Sequence, residues 1–181
     1  MIDISQIEEL VSTLEIITDT LDNFVPKKLF QVQHRIAYNA TSGTFAAGAW
    51  RNRPLNYVAY NNIDGAKLNT GNYYMTLPTG EYEVDGRSQA FYVNRNVGRL
   101  WNITDGVELF HGSHGLSHPE NGYNDSGPQF RGRFTLTKET VFKLQQWGLT
   151  TYATHGFGYS GTADFSGFDK IFADFRFWKI D

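Results

Sequence analysis

Met75-Thr76-Leu77-Pro78-Thr79-Gly80-Glu81-Tyr82-Glu83-Val84 holds a strand, a corner and the start of a second strand. Pro78 has no N–H to give a ladder, so a strand over 73–77 stops there. Gly80 lets the chain turn, and a period of two resumes over 81–91. The same period extends both ways. Upstream, Phe30, Val32, His34 and Ile36 alternate with Gln31, Gln33 and Arg35, and 56–62 is a strand ending in a turn at 61–65. Downstream, strands over 98–103 and 107–111 flank Thr104-Asp105-Gly106. Segments 130–137 and 141–147 flank Lys138-Glu139-Thr140 as a hairpin, and 171–180 is the last strand. Many short strands divided by turn residues make 27–181 an all-β head, a sandwich or a barrel. The last strand carries Phe172, Phe175, Phe177 and Trp178. A strand apolar on both faces lies centrally in its sheet or faces another subunit.

Residues 1–26 follow a different period. Ile4, Val11, Thr18 and Val25 recur every seven residues, and Ile7, Leu14 and Leu21 fall three residues later. That is the a/d seam of a coiled coil. No Gly or Pro interrupts 3–25, and Pro26 ends the helix. Leu10, Ile17 and Phe24 at the g positions widen the apolar stripe, which suits three strands better than two. Glu8, Glu15 and Asp22 at e have no basic partners, so charge opposes the coil slightly. So short a coil is marginal alone, and the head is expected to supply much of the assembly's stability. The rival reading is a single amphipathic helix packed back on its own head.

The 181 residues hold one domain and a stalk. Of the 19 acids, six lie in 1–25 with no Lys or Arg, which leaves 13 against 16 bases in the rest. That slight, scattered excess does not point to nucleic acid. No run of 18 apolar residues and no charged-then-apolar leader is visible, so neither membrane insertion nor a signal peptide is expected. The absence of cysteine favours assembly in a cytoplasm.

The 75–84 run resembles the strand-Pro-x-x-Gly-x-Tyr-x-apolar signature of the C1q/TNF-like jelly roll. Leu100-Trp101-Asn102 with Asp105-Gly106 resembles that family's next hairpin, and 130–144 the one after, over roughly 29–180 in all. Gly43-Thr44-Phe45-x3-Ala49-Trp50-Arg51-x-Arg53-x-Leu55-Asn56, with Gly132-Arg133-Phe134, resembles the C1q-like heads of bacteriophage structural proteins. Two departures stand out: Lys138-Glu139-Thr140 replaces the family's Gly-Asp turn, and 112–127 is longer than the family average. The resemblance implies a homotrimer of jelly rolls around a threefold axis lined by the strands that carry the chain ends. It therefore places Phe175 and Phe177 beside the a/d residues in trimerisation. It further implies a phage fibre or spike component, assembled in the host cytoplasm, held to other virion proteins by its N-terminus. The head would bind a bacterial surface glycan or protein. The alternatives are a capsid-decorating or structural head fibre without its own receptor, and a surface-polysaccharide depolymerase. A cellular C1q-like adhesion protein is disfavoured by the missing leader and cysteines.

Chemistry beyond binding has little support. His111, His114 and His118 form the one cluster of metal-like density, but Gly112, Gly115 and Pro119 make it a loop of solvated histidines first and a candidate metal site second. The loop Asn121-Gly122-Tyr123-Asn124-Asp125-Ser126-Gly127 lacks the alternating acids of a calcium loop. It is a candidate recognition surface together with His114 and His118, with Tyr123 to stack on a sugar and Asn124 and Asp125 to bond hydroxyls. No nucleophile elbow or phosphate loop is present, and the glycines of 156–161 have dinucleotide spacing without a following helical pattern. The acids show no placement suited to a glycosidase pair. No enzyme activity and no cofactor are expected. Trp50-Arg51-x-Arg53 reads as packing and inter-strand pairing.

Overall fold

The structure, a computed structural model, describes residues 3–22, 28–38, 40–118, 127–159 and 167–180, and of 17–22 the backbone alone. The helix α1 spans Ile4–Asp22. Asp3 caps it: its carboxylate accepts from Ser5 N–H (3.3 Å), and its carbonyl accepts from Gln6 N–H and Ile7 N–H. Eleven strands follow: β1 (Lys28–Ile36), β2 (Arg51–Asn52), β3 (Tyr57–Asn61), β4 (Lys67–Asn69), β5 (Tyr74–Leu77), β6 (Gly80–Ser88), β7 (Asn94–Asn102), β8 (Val107–Ser117), β9 (Gln129–Leu136), β10 (Thr140–Gly148) and β11 (Lys170–Lys179).

They form two antiparallel sheets. The first runs β3-β1-β11-β6-β9 and the second β4-β5-β10-β7-β8, with β2 added on β10. Only β4–β5 and β7–β8 are consecutive strands paired within one sheet. Every other connection between these strands crosses the sandwich, the winding of a jelly roll. Between the sheets lie Phe30, Val32, Met75, Leu77, Tyr82, Val84, Leu100, Phe142, Leu144, Phe175 and Phe177, all 0% exposed. The opening decapeptide is one of these crossings. Tyr82 O–H donates to the Pro78 carbonyl (2.9 Å) and its ring stacks on Phe134 (5.6 Å), fixing the corner from both sides.

Three expectations change. Segments 130–137 and 141–147 are strands but not a hairpin, because β9 pairs with β6 and β10 with β5, β7 and β2. The 137–139 segment is an arch between sheets, with Leu136 and Thr140 both buried. Second, β8 continues to Ser117, so His111, His114 and their glycines lie on a strand. Gly112 serves packing: a Cβ on it would stand 2.8 Å from the Phe130 ring, and one on Gly98 of the neighbouring strand β7 would stand 2.6 Å from it. Third, Phe175 and Phe177 point into the chain's own core, against Phe130 (4.9 Å) and Phe142 (5.5 Å). They hold the sheets together and offer no surface to a second copy. The last strand is central in its sheet, but one face alone is apolar there: Ala173, Phe175 and Phe177 are buried, and Asp174 and Arg176 between them stand on the outer face.

The sandwich is polar in its connections. Lys28 pairs with Lys179, so the chain enters and leaves at one pole, beside the Pro78 corner and the 137–139 arch. The ends of β6 and β10 and the starts of β7 and β11 lie at the opposite pole.

Candidate functional site

The chain leaves two apolar surfaces uncovered near its entry. On α1, Ile4, Ile7, Val11 and Leu14 are 50–71% exposed, so these seam residues are not packed back on the head. Thr18 and Leu21 lie on the same helix with side chains outside the described residues, and Val25 is outside them altogether. On the first sheet, the edge strand β3 is exposed at all five residues, Tyr57-Val58-Ala59-Tyr60-Asn61. A bare edge with apolar side chains is a template for association. The sequence signal was present, since Tyr-Val-Ala-Tyr is not a solvent-facing alternation, but only the sheet order shows that no strand among the described residues pairs with its outer side.

Between β3 and the far edge, the outer face of the first sheet is charged in alternation. Arg133 meets Glu83 (3.2 Å), Arg131 meets Asp85 (3.7 Å) and Arg176 meets Asp174 (3.0 Å). Asp174 also accepts from Gln31 (2.7 Å) and Gln33 (2.9 Å). Such pairs add little stability in water, but interleaved signs make the face self-complementary.

The histidines are only partly brought together. His111 and His114 rings lie 6.0 Å apart, although three residues on a regular strand point to opposite faces. A bulge in β8 accounts for this: His114 pairs with Val97 and His111 with Arg99, so three steps along β8 match two along β7. Glu108 carboxylate holds His111 Nδ1 at 2.9 Å. His118 follows the strand end and is half-buried. Among the described residues no three His, Cys, Asp or Glu form a metal-holding group, so His111, His114 and His118 do not converge. Tyr123, Asn124 and Asp125 lie outside the described residues.

The Trp50–Arg53 stretch has packing roles. Arg99, from the outer face of the second sheet, lies 4.1 Å from both the Trp50 and Trp101 rings and bonds Gln145. Burial lowers its pKa from the ordinary arginine value, opposed in part by Glu108. Arg51 bonds the Ala46 and Ala47 carbonyls. Arg53, 0% exposed, donates to the Gln89 (2.5 Å), Phe157 (2.6 Å) and Phe172 (2.8 Å) carbonyls and to Gln146 (3.2 Å). It ties the three chain segments of the far pole to one another.

No protein-family model and no curated protein matches the chain. Among solved structures, the globular domain of zebrafish complement 1qA protein is similar, with a TM-score of 0.52 and 16% identity. The match covers 86% of this chain and 98% of that one. At this identity the likeness is one of fold: the head is a C1q-like all-β domain.

Proposed function

We propose that this chain is a homotrimeric fibre or spike component of a bacteriophage virion, a coiled-coil stalk carrying a jelly-roll head that binds a bacterial surface receptor. The carrying observation is the apolar seam of α1, Ile4, Ile7, Val11 and Leu14, left 50–71% exposed in the single chain. A helix with that stripe is stable in water only when a partner covers it, and period 3.5 selects copies of itself. The bare β3 edge and the self-complementary sheet face supply a second set of contacts. The phage assignment rests on the likeness of 43–56 and 132–134 to phage heads. With the stalk joining one pole, the opposite pole is the end free to touch a cell, and threefold repetition strengthens weak contacts through avidity. Binding, not catalysis, is the role.

Adsorption tests this reading. Labelled full chain is expected to bind cells of the phage's host and to compete with virion attachment. Virions lacking 29–181 that adsorb normally would overturn the receptor role in favour of a structural head fibre. Release of reducing ends from host polysaccharide would favour a depolymerase.

A further inference from the structure

The outer face of the second sheet is basic, and neither the stalk nor the proposed contacts between copies use it. Cross-strand partners share a face of a sheet. On the outer face Arg99 pairs with Gln145 and His111, and Trp101 with Lys143 and Glu108. Arg95 stands on the same face four residues before Arg99, and Lys67 stands on it beside Thr76 and Val141. Lys67, Arg95, Arg99 and Lys143 are thus set against Glu108, the one carboxylate at a paired outer position of these strands. Glu108 is itself divided between Arg99 (4.0 Å) and His111 (2.9 Å). Lys67, Arg95 and Lys143 make no ion pair among the described residues. On the first sheet, by contrast, Glu83, Asp85 and Asp174 each meet an arginine.

The same face carries Trp50, Trp101 and Trp147, three of the chain's four tryptophans, all half-buried. Trp50 and Trp101 both lie against the Arg99 guanidinium at 4.1 Å, and Arg99 Nε donates to Gln145 (3.0 Å). Gln145 Nε2 donates in turn to Asn52 (3.1 Å). The central cation is therefore fixed before any ligand arrives, and a side chain held this way loses little freedom on binding. Arg95 lies near the start of β7, at the pole opposite the chain ends. Trp101, with its row partner Lys143, lies six residues along that strand, about 20 Å away at the rise of a strand. The positive positions form a track that begins at the far pole and runs down the flank of the head.

We infer that this face binds an acidic polysaccharide, whose carboxylates or phosphodiesters meet Arg95, Arg99 and Lys143 in turn. A polymer with a charge on each repeat matches cations spread along a flat face, and Gln145 and His111 between them can bond its hydroxyls. A single-stranded nucleic acid binds by stacking bases on open ring faces, and the Trp50 and Trp101 faces over Arg99 are already taken. An acidic peptide would add along a sheet edge through main-chain bonds, and β7 and β10 are interior strands with neighbours on both sides. The inference deepens the receptor-binding reading by naming the receptor's chemistry; it rests on that reading for the source of the polymer, but not for the binding face.

Titration of the full chain with polygalacturonate and with purified wall teichoic acid, followed by tryptophan emission, tests it. At least one polymer is expected to bind, to shift the emission and to bind more weakly as salt rises. Neutral dextran is expected not to bind. Arg95→Gln with Lys143→Gln, at the two ends of the track, is expected to weaken binding about tenfold. Arg35→Gln with Lys138→Gln removes the same charge elsewhere on the head and should leave binding unchanged. No binding of either acidic polymer, or an equal loss in both double variants, would overturn the inference. Oligodeoxythymidylate or polyglutamate bound as tightly as the acidic polysaccharide would overturn it in favour of a nucleic acid or an acidic protein. Cell adsorption by the same variants separates the two readings. Host cells bound equally well by wild type and by Arg95→Gln with Lys143→Gln would overturn the polysaccharide face and leave adhesion standing. A wild type that binds an acidic polysaccharide but no cell would support the face and overturn adhesion.

Discussion

His34 is a titratable side chain held away from water. It is 3% exposed, its ring lies 5.9 Å from Phe172, and its Nδ1 has no hydrogen-bond partner among the described residues. Burial, helped by the Arg53 charge, lowers its pKa from 6.5 to about 2, so the folded chain keeps it neutral. The unfolded chain takes up that proton near pH 6.5 and the folded chain does not. The folded state is therefore unpenalised above pH 6.5 and loses stability as pH falls from there toward about 2. By pH 4.5 this amounts to about 2–3 kcal/mol. Urea unfolding across that range should show the wild type losing stability more steeply than His34→Leu, by about that amount. Parallel slopes for the two proteins would mean that His34 protonates in the folded state.

At the scale of elements, β8 is where glycine misleads. Gly112 and Gly115 beside three histidines read as a loop, because glycine is commonest where chains turn. Here Gly112 and Gly98 leave room for the Phe130 ring, which reaches the two adjacent strands from β9. Gly112→Ala is expected to cost about 1–3 kcal/mol through overpacking, seen as a lowered urea midpoint. The cost should shrink in the Phe130→Leu background, since the two residues share one space. A loop glycine would show neither effect. The strands themselves were legible, since alternation in β1, β6, β7, β10 and β11 is written residue by residue. Their partners were not. A hairpin and an arch both present two alternating strands around a short polar turn, and the choice at 137–139 is made by β6 and β7, tens of residues upstream. Phe175 and Phe177 misled for the same reason: apolarity marks a buried side chain without saying whether its own core or a neighbour buries it. The basic face of the second sheet was illegible because Trp50, Arg99 and Lys143 come from distant segments that only the sheet order brings together.

For the whole molecule, two surfaces ask for a second copy, and they differ in chemistry. The α1 stripe is apolar, short and flanked by acids in a segment without Lys or Arg, so it is marginal alone. The head offers the bare β3 edge beside a charged, self-complementary sheet face. If the head interface dominates, light scattering should give a mass of three chains both for the full protein and for a chain beginning at Leu29. Tyr57→Lys with Tyr60→Lys, two residues 42% and 51% exposed, should then reduce the shorter chain to a monomer while leaving its fold intact. In the full protein the same pair should leave a trimer that dissociates on dilution, because the stalk alone then holds it. A shorter chain that is monomeric without any substitution would make the coil the clamp. A full chain that is monomeric would refute the assembly, and with it the avidity by which one weak contact per head can hold a virion to a cell.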